Sequence, residues 1–571
     1  MESLKRIATR KFFLLLVLII AAAFRLYGIN WDQGLHLHPD ERFLTMVGNA
    51  MVLPHSFVQY LDPNTSLFNP TNIGYKFYVY GTLPVVINKL IALATNNDTY
   101  SSFTILGRGL SAFFDLGVVV FVYKITELLL EQKKKNTITV LPFIAALLYA
   151  IAVLPIQLSH FFASDTLLNF FMTGSLYFMI RFYKNRSIPA VALSGIFFGL
   201  AIAAKVSGVF IAPLLLFFFS YPYFKTRKKI FTTLLLALLF CFTSYFSLRI
   251  AAPYYFETEN VLNPQLNVLF MQNLRALKSF EGKNVWYPPG VQWINKPPVL
   301  FSLKNLALIG IGLPFFILVV IGVLALLLKG NLLRKHLDRT VLSVIFIWVL
   351  VFFLYQSVQF VKVVRYFIFI YPYLAILAAI GYMYISGLFA NSSRFTRYLL
   401  QGIYVIALLI WPLAFMSIYI NKTSRLAASD WIYQNLPNDS LILSEHWDDG
   451  LPMPLPENYG KTFQSEQLPV FDPDSNEKFS KMQDLLQRAD YYILSSNRGW
   501  GSIPTVPEKY PRMTVFYNQL LNNKTNYKKV SEFHSYPSLR YLGIPLDFPD
   551  QWSDESFTVY DHPLVLIYKK T

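Results

Sequence analysis

The chain has 571 residues, of which 54% are hydrophobic, 17% aromatic and only 15% charged. Soluble domains carry about 25% charged residues, so the composition excludes an ordinary soluble enzyme and points to a polytopic membrane protein. A net charge of +17 would suit a nucleic-acid binder, but the Lys and Arg residues sit in short stretches between apolar runs, the placement that sets membrane topology; no nucleic-acid partner is expected.

Windows of about 20 apolar residues, the length that crosses a bilayer, predict spans in chain order near 12–29, 104–128, 138–158, 164–181, 188–204, 206–224, 230–250, 304–328, 340–357, 366–389 and 398–420. Basic stretches lie at 3–11, 132–136, 181–186, 225–229, 329–339 and 392–397. With the N-terminus inside, all six fall on the cytoplasmic face. The expected fold is an α-helical polytopic membrane protein of about eleven transmembrane helices, N-terminus in and C-terminus out. Counting 75–94, "YKFYVYGTLPVVINKLIALA", as a further span would invert every later loop, so it reads as a helix lying in the interface. The first span reads as a retained signal anchor; cleavage after "AAA" would leave the remaining topology unchanged.

Three external regions result: loop 30–103, loop 251–303 and everything after Ile420. The chain divides into a transmembrane domain, 1–420, and an extracytoplasmic α/β domain, 421–571. In the latter "RLAASDWIYQNL" reads as an amphipathic helix, and "SLILSE", "DYYILSS" and "LVLIYKK" read as strands. The single cysteine, Cys241, lies in an apolar segment, which leaves no intramolecular disulfide and no cysteine metal cluster.

Ionisable residues avoid the middles of the spans, against the pattern of channels and carriers of charged solutes, and gather at the outer ends. In "LHLHPDERF" (35–43), Asp40 and Glu41 follow Pro39 and precede an apolar stripe of Phe43, Leu44, Val47, Ala50 and Met51. Two readings stay open here: a helix start whose acids complement the dipole, or a carboxylate held at the lipid boundary as a general base. Asp165 either caps the fourth span or faces Asp40 across an outer cavity as a ligand for a hydroxyl or a metal, while His160 reads as a hydrogen-bonded interfacial residue. Lys205 sits in an outer hairpin where a topological charge does not belong. Lys362 and Arg365, at i and i+3, break the charge bias in the same way if their span starts early. Together with Arg108 at the outer end of the second span, these cations suit a phosphate. The aromatic stretch "NVWYPPGVQWINKPP" (284–298) suits a membrane interface or a sugar ring. The sequence has no Walker loop, dinucleotide fingerprint or zinc His pair, so an external enzyme needs a donor that arrives through the membrane.

"RLYGINWDQGLHLHPDERF", "LGRGLSAFFD", "HFFASDTLLNFF", "GLAIAAKVSGVF", "QWINKPPVLFSLKNLALIGIGLP" and "RYFIFIYPYL" resemble, over most of 12–390, the lipid-phosphosugar-dependent glycosyltransferases of the GT-C class. Within it they are similar to glycosyltransferase family 39, which contains protein O-mannosyltransferases and lipid A aminoarabinose transferases. The resemblance implies an inverting transfer of a sugar, in the cytoplasmic membrane, from a polyprenyl-phosphate donor to a hydroxyl of a protein, lipid or glycan. It implies Asp40 as base, Glu41 as its paired neighbour and Asp165 as the second acid, with Arg108, Lys205, Lys362 and Arg365 receiving the leaving phosphate. A divalent metal, Mg or Mn, held by Asp40 and Asp165, stays open. The alternatives are a transporter or flippase of lipid-linked saccharides and a non-catalytic membrane scaffold.

Overall fold

The computed structural model describes residues 2–130, 140–224, 230–328, 337–456 and 459–571. The basic stretches 132–136 and 225–229, and residues 329–336 of a third, lie outside the described residues.

Helix occupies each of the eleven apolar segments: α1 (Glu2–Leu26), α4 (Tyr100–Leu129), α5 (Leu141–Ala150) with α6 (Val153–Ser159), α7 (Ser164–Asn185), α8 (Ile188–Ala204), α9 (Ala212–Phe224), α10 (Ile230–Ala251), α11 (Leu313–Leu328), α12 (Arg339–Val358), α13 (Tyr371–Leu388) and α14 (Arg394–Ile420). By length and apolarity, five of the described helices suffice to cross a membrane, or seven if two bent pairs each count as one span. The bends correct the expectation of straight spans at 138–158 and 304–328. α5 turns by 56° into α6, because the ring of Pro155 would strike the Ile151 carbonyl in a continuous helix. Leu300–Gly310 turns by 117° into α11 at Gly312, whose φ of +81° is open to glycine, with Pro314 next in line. Between α1 and α4 lie α2 (Pro39–Ala50) and α3 (Thr82–Ala94). α3 has 13 residues, so it spans about 20 Å, short of the roughly 30 Å hydrocarbon core.

In lipid the packing of helices depends on close contact and internal polar partners. Gly322 of α11 and Gly381 of α13 meet at their crossing: a Cβ on Gly322 would lie 1.9 Å from the Leu377 carbonyl oxygen, and one on Gly381 would lie 2.1 Å from that of Leu318. Arg25 and Asp115 form a fully buried pair at 2.6 Å. Tyr149 donates to the same carboxylate at 2.5 Å, and Arg25 donates to the Ala150 carbonyl at 2.8 Å. This network ties α1, α4 and α5 together and pairs the buried Arg25 charge with a carboxylate.

The C-terminal region forms a five-stranded sheet of β1 (Leu441–Glu445), β2 (Gln464–Leu468), β3 (Tyr491–Leu494), β4 (Tyr527–Phe533) and β5 (Val565–Lys570), in the order β2-β1-β3-β5-β4. β1 runs parallel to β2 and β3; β5 runs antiparallel to β3 and β4. The expected strands are β1, β3 and β5, the buried centre of the sheet. The edges β2 ("QSEQL") and β4 ("YKKVSEF") are largely exposed, and charged side chains on edges conceal them in the sequence. The expected helix is α15 (Ser424–Asn435), and α16 (Asn476–Arg488) and α17 (Pro511–Leu521) complete the domain.

This sheet is fused to the helices. One apolar core contains Ile156 and Phe415 of the bundle together with Ile442, Phe557 and Ile567 of the sheet domain. Beside it, Gln157 donates to the Phe557 carbonyl at 2.7 Å and Tyr419 to Asp561 at 2.9 Å. Asp561 also holds His562 Nδ1 at 2.5 Å, and Asp550 holds Nε2 at 2.9 Å. Burial would push this imidazole down, but the two carboxylates outweigh it and raise it to about 10. A raised histidine contributes stability in full below its unfolded value near 6.5 and loses it as pH rises through the folded value. The Tm of the purified protein is therefore expected to fall between pH 6.5 and about 10. In His562→Gln, Tm is lower at pH 6.5 and the decline is flatter, which a thermal scan at several pH values measures.

Candidate active site

The acidic pair opens α2. His38 caps the helix, its Nδ1 accepting from the Glu41 N–H at 3.3 Å, and Pro39 takes the first position, where its missing N–H costs nothing. Neighbouring helix residues cannot share a face, so Asp40 and Glu41 part company. Glu41 turns into the protein and is fully buried, whereas Asp40 stays about one-fifth exposed.

Glu41 accepts from Arg108 Nε at 2.9 Å and Nη2 at 2.5 Å, and from the Phe162 N–H at 2.8 Å. Arg108 spends its remaining donors on Asp32, at 3.0 and 2.7 Å, and on the Ile29 carbonyl at 2.8 Å. All five N–H groups of the guanidinium are thus occupied by protein, and its side chain is inaccessible. Burial pushes the Glu41 carboxyl up in spite of Arg108; at Asp32 burial is outweighed by Arg108 and by the Gly34 and Leu37 N–H groups, which hold it down. This corrects two expectations. Arg108 has no donor left for a phosphate, and Glu41 is an anchor closed off from any substrate.

Asp40 meets a different set. Arg365 Nη1 donates to its Oδ2 at 2.5 Å and the Tyr80 hydroxyl to its Oδ1 at 3.0 Å. Burial raises its carboxyl, but Arg365 outweighs this, with His38 and Tyr80, and holds it well below the usual carboxylate range. His38, pushed down by burial to about 4, is neutral at pH 7. Close by, Lys205 donates to Asp165 at 2.9 Å. The Tyr366 ring joins the two pairs, its centroid 5.3 Å from Lys205 Nζ and 5.9 Å from the Arg365 guanidinium. Arg365 feels the charge of both Asp40 and Asp165, and its Nε is buried without a partner among the described residues. The structure therefore gathers Asp40, Asp165, Lys205 and Arg365 into one cluster.

Distant segments set this geometry. Tyr80 reaches Asp40 because Gly81 packs on the backbone just before Lys205: a Cβ there would lie 2.1 Å from the Ala203 carbonyl oxygen and 2.2 Å from that of Ala204. Arg365 lies in a short 3-10 turn, Val364–Ile370, whose first N–H donates to Asp554 of the sheet domain at 2.6 Å. Asp554 in turn takes its N–H to Asn305 at 2.8 Å. Lys362 precedes the 3-10 turn in non-helical chain, so the expected i, i+3 face with Arg365 does not form. Its ammonium is buried and donates to the Phe360 carbonyl at 3.1 Å, and burial together with Lys283 pushes it down; it belongs outside the cluster. His160 is buried between the Ile156 and Tyr27 carbonyls, both at 2.9 Å, and stacks on Tyr419 at 3.7 Å.

Sequence reasoning missed Tyr80, Tyr366 and Tyr560. Tyr560, from the sheet domain, packs its ring 4.2 Å from that of His38, and nothing in the sequence joins residues 522 positions apart. As metal ligands the acids are poorly placed. Asp40 and Asp165 each hold a protein cation where a metal would bind, and among the described residues no group of three His, Cys, Asp or Glu comes together.

Residues 105–246, which hold Asp165, Lys205 and α4 to α10, match the family described as dolichyl-phosphate-mannose-protein mannosyltransferase. The fold is similar to that of the apo oligosaccharyltransferase of Archaeoglobus fulgidus, at 14% identity and a TM-score of 0.50, covering 94% of this chain and 75% of the other. ArnT from Cupriavidus metallidurans, solved bound to undecaprenyl phosphate, aligns at 13% identity and a TM-score of 0.43 over 99% of this chain and 98% of its own. No curated protein sequence matches the chain significantly.

Replacing one partner of a buried charge set costs about 3–5 kcal/mol, so Arg108→Gln is expected to lose most folded protein from membranes. Arg108→Lys is not expected to rescue it, since a point charge cannot fill five fixed positions. Thermal unfolding of the purified variants measures this. Normal stability with weakened donor binding would return Arg108 to the phosphate.

Proposed function

We propose that the protein transfers a sugar from a polyprenyl-phosphate donor to an acceptor hydroxyl, with inversion, at the outer face of the cytoplasmic membrane, and that residues 421–571 form its extracytoplasmic domain. The observation that carries this reading is the cluster of two carboxylates and two cations, Asp40 with Arg365 and Asp165 with Lys205. A membrane enzyme that handles phosphate needs cations beside a base, and here both are built.

In the reaction the acceptor hydroxyl gives its proton to Asp40 as its oxygen bonds to the anomeric carbon. The bond from that carbon to the phosphate oxygen breaks, and polyprenyl phosphate leaves with one more negative charge than the diester carried. Arg365 and Lys205 receive this charge, so a strong general acid is not required. Asp40 is always ionised while Arg365 holds it, and for that reason is a weak base. A donor phosphate competes for Arg365, whose Nε is still unpartnered, and weakening the pair raises the basicity of Asp40 when substrate is present. Asp165 positions Lys205 in the same way. For the prenyl chain, an apolar groove of about 470 Å³ begins beside the turn that follows Lys205, lined by Phe210, Pro213, Phe217, Trp348, Phe352 and Tyr355. The acceptor class, among protein, lipid and glycan, follows from the opposite side of the cluster.

The test is to incubate purified protein with radiolabelled polyprenyl-phosphate sugars and membrane extract and follow the label. Asp40→Asn is expected to lower transfer by about 10²–10⁴-fold, the usual worth of a general base, with Tm retained. Arg365→Gln is expected to lose transfer and to bind polyprenyl phosphate more weakly. An Asp40→Asn protein with full activity removes Asp40 from the mechanism; label that never moves removes the transferase reading.

A further inference from the structure

A pocket of about 280 Å³ lies between the start of α2 and the sheet domain, with Pro39 and Arg42 on one wall and Trp447, Asp449, Arg498 and Tyr560 on the other. It adjoins the cluster, since Pro39 precedes Asp40 and Tyr560 feels the charge of both Asp40 and Arg365. Its size is at the lower end of ligand pockets, which begin at roughly 300 Å³, enough for one small ring and too short for an extended peptide.

Three features define what it would hold. First, Trp447 is 37% exposed and has a φ of +78°, a left-handed conformation that is strained for a bulky residue and persists where the surroundings impose it. Arg498 holds its carbonyl, and the rings of Trp286 and Tyr287 meet it edge-on, each with a centroid 6.2 Å away. Tyr287 also lies within the field of Asp40 and Arg365, so this aromatic wall runs from the cluster to Trp447. Second, the charges balance. Arg425 pairs with Asp448 at 3.1 Å and Asp449 at 3.2 Å, and Arg498 with Glu555 at 2.7 Å, so the pocket has no surplus cation for an anion. Third, one pair is loose. Arg42 and Asp449 Oδ1 are 3.4 Å apart with side chains 41% and 23% exposed, so this oxygen and the Arg42 guanidinium can exchange each other for hydroxyl groups while Oδ2 stays on Arg425.

An exposed indole face, an ionised acceptor and donor at its edge, and no net charge are the features of a site for a neutral polyol ring. We propose that this pocket binds the terminal sugar of a glycan acceptor, stacked on Trp447, with its hydroxyls held by Asp449 and Arg42, so that the hydroxyl to be glycosylated reaches Asp40. This rests on the transferase reading above and names its acceptor class.

Saturation-transfer NMR on the full-length protein in a sugar-free detergent tests it, with methyl α-mannoside, methyl β-galactoside and methyl N-acetyl-β-glucosaminide as probes and a Ser/Thr-rich peptide as the contrast. The expected result is transfer to the ring C–H protons of at least one glycoside. Trp447→Ala and Asp449→Asn, the latter leaving Arg425 paired with Asp448, should each reduce it by about fivefold or more, as expected for one lost stacking or charge-assisted contact. Both variants should bind undecaprenyl phosphate as the wild type does. No glycoside signal, a signal indifferent to both substitutions, or a Trp447-dependent signal from the peptide alone overturns the proposal. Trp447-dependent glycoside binding in a protein that never moves label would keep the pocket and remove the transferase reading instead.

Discussion

The buried Arg108, shared between Glu41 and Asp32, is the interaction on which the rest of the site depends. A guanidinium out of water is tolerated only when every donor is matched, and here five donors meet two carboxylates and a carbonyl. In meeting them they join α4, the loop from Ile29 to Leu37, the start of α2 and, through the Phe162 N–H, the approach to α7. Of two adjacent acids, one is used up as a foundation so that the other can be presented at a fixed angle. Asp40 is placed by its neighbour.

The reactive charges are stored as pairs. At a membrane boundary an isolated carboxylate or ammonium would be costly, and pairing Asp40 with Arg365 and Asp165 with Lys205 stabilises all four before any substrate arrives. Asp40, Arg365 and Lys205 stay about a fifth to a quarter exposed, in contrast to the sealed Arg108 set, and that difference separates groups able to exchange partners from groups that only hold the fold. The same distinction disposes of Lys362, whose ammonium is turned to a backbone carbonyl.

The C-terminal domain is a wall of the site. It shares an apolar core with the bundle, its Asp554 fixes the turn that carries Arg365, and its Tyr560 packs on the cap of α2. Because Asp550, His562 and Asp561 lie where Gln157 and Tyr419 reach across, the seam between the two regions is polar as well as apolar. A domain attached this firmly can shape one side of the cluster, which explains why Trp447 can keep a strained backbone beside it.

The sequence by itself determined a great deal. Apolar runs of the right length mark where the membrane helices lie, since the requirement is local and concerns a single segment. The buried centre of the sheet shows as short apolar strands for the same reason, and misplaced cations at Lys205 and Arg365 reveal a site because topology leaves them unexplained. What only the tertiary structure decided was partnership. That Glu41 anchors and Asp40 turns to Arg365, that Arg108 is spent on carboxylates, that spans break at Pro155 and Gly312, and that Tyr80, Tyr366 and Tyr560 gather near Asp40 all depend on which residues meet across tens to hundreds of positions. Composition and spacing record what each residue can do; its neighbours in space, through burial and charge, decide which of those things it does.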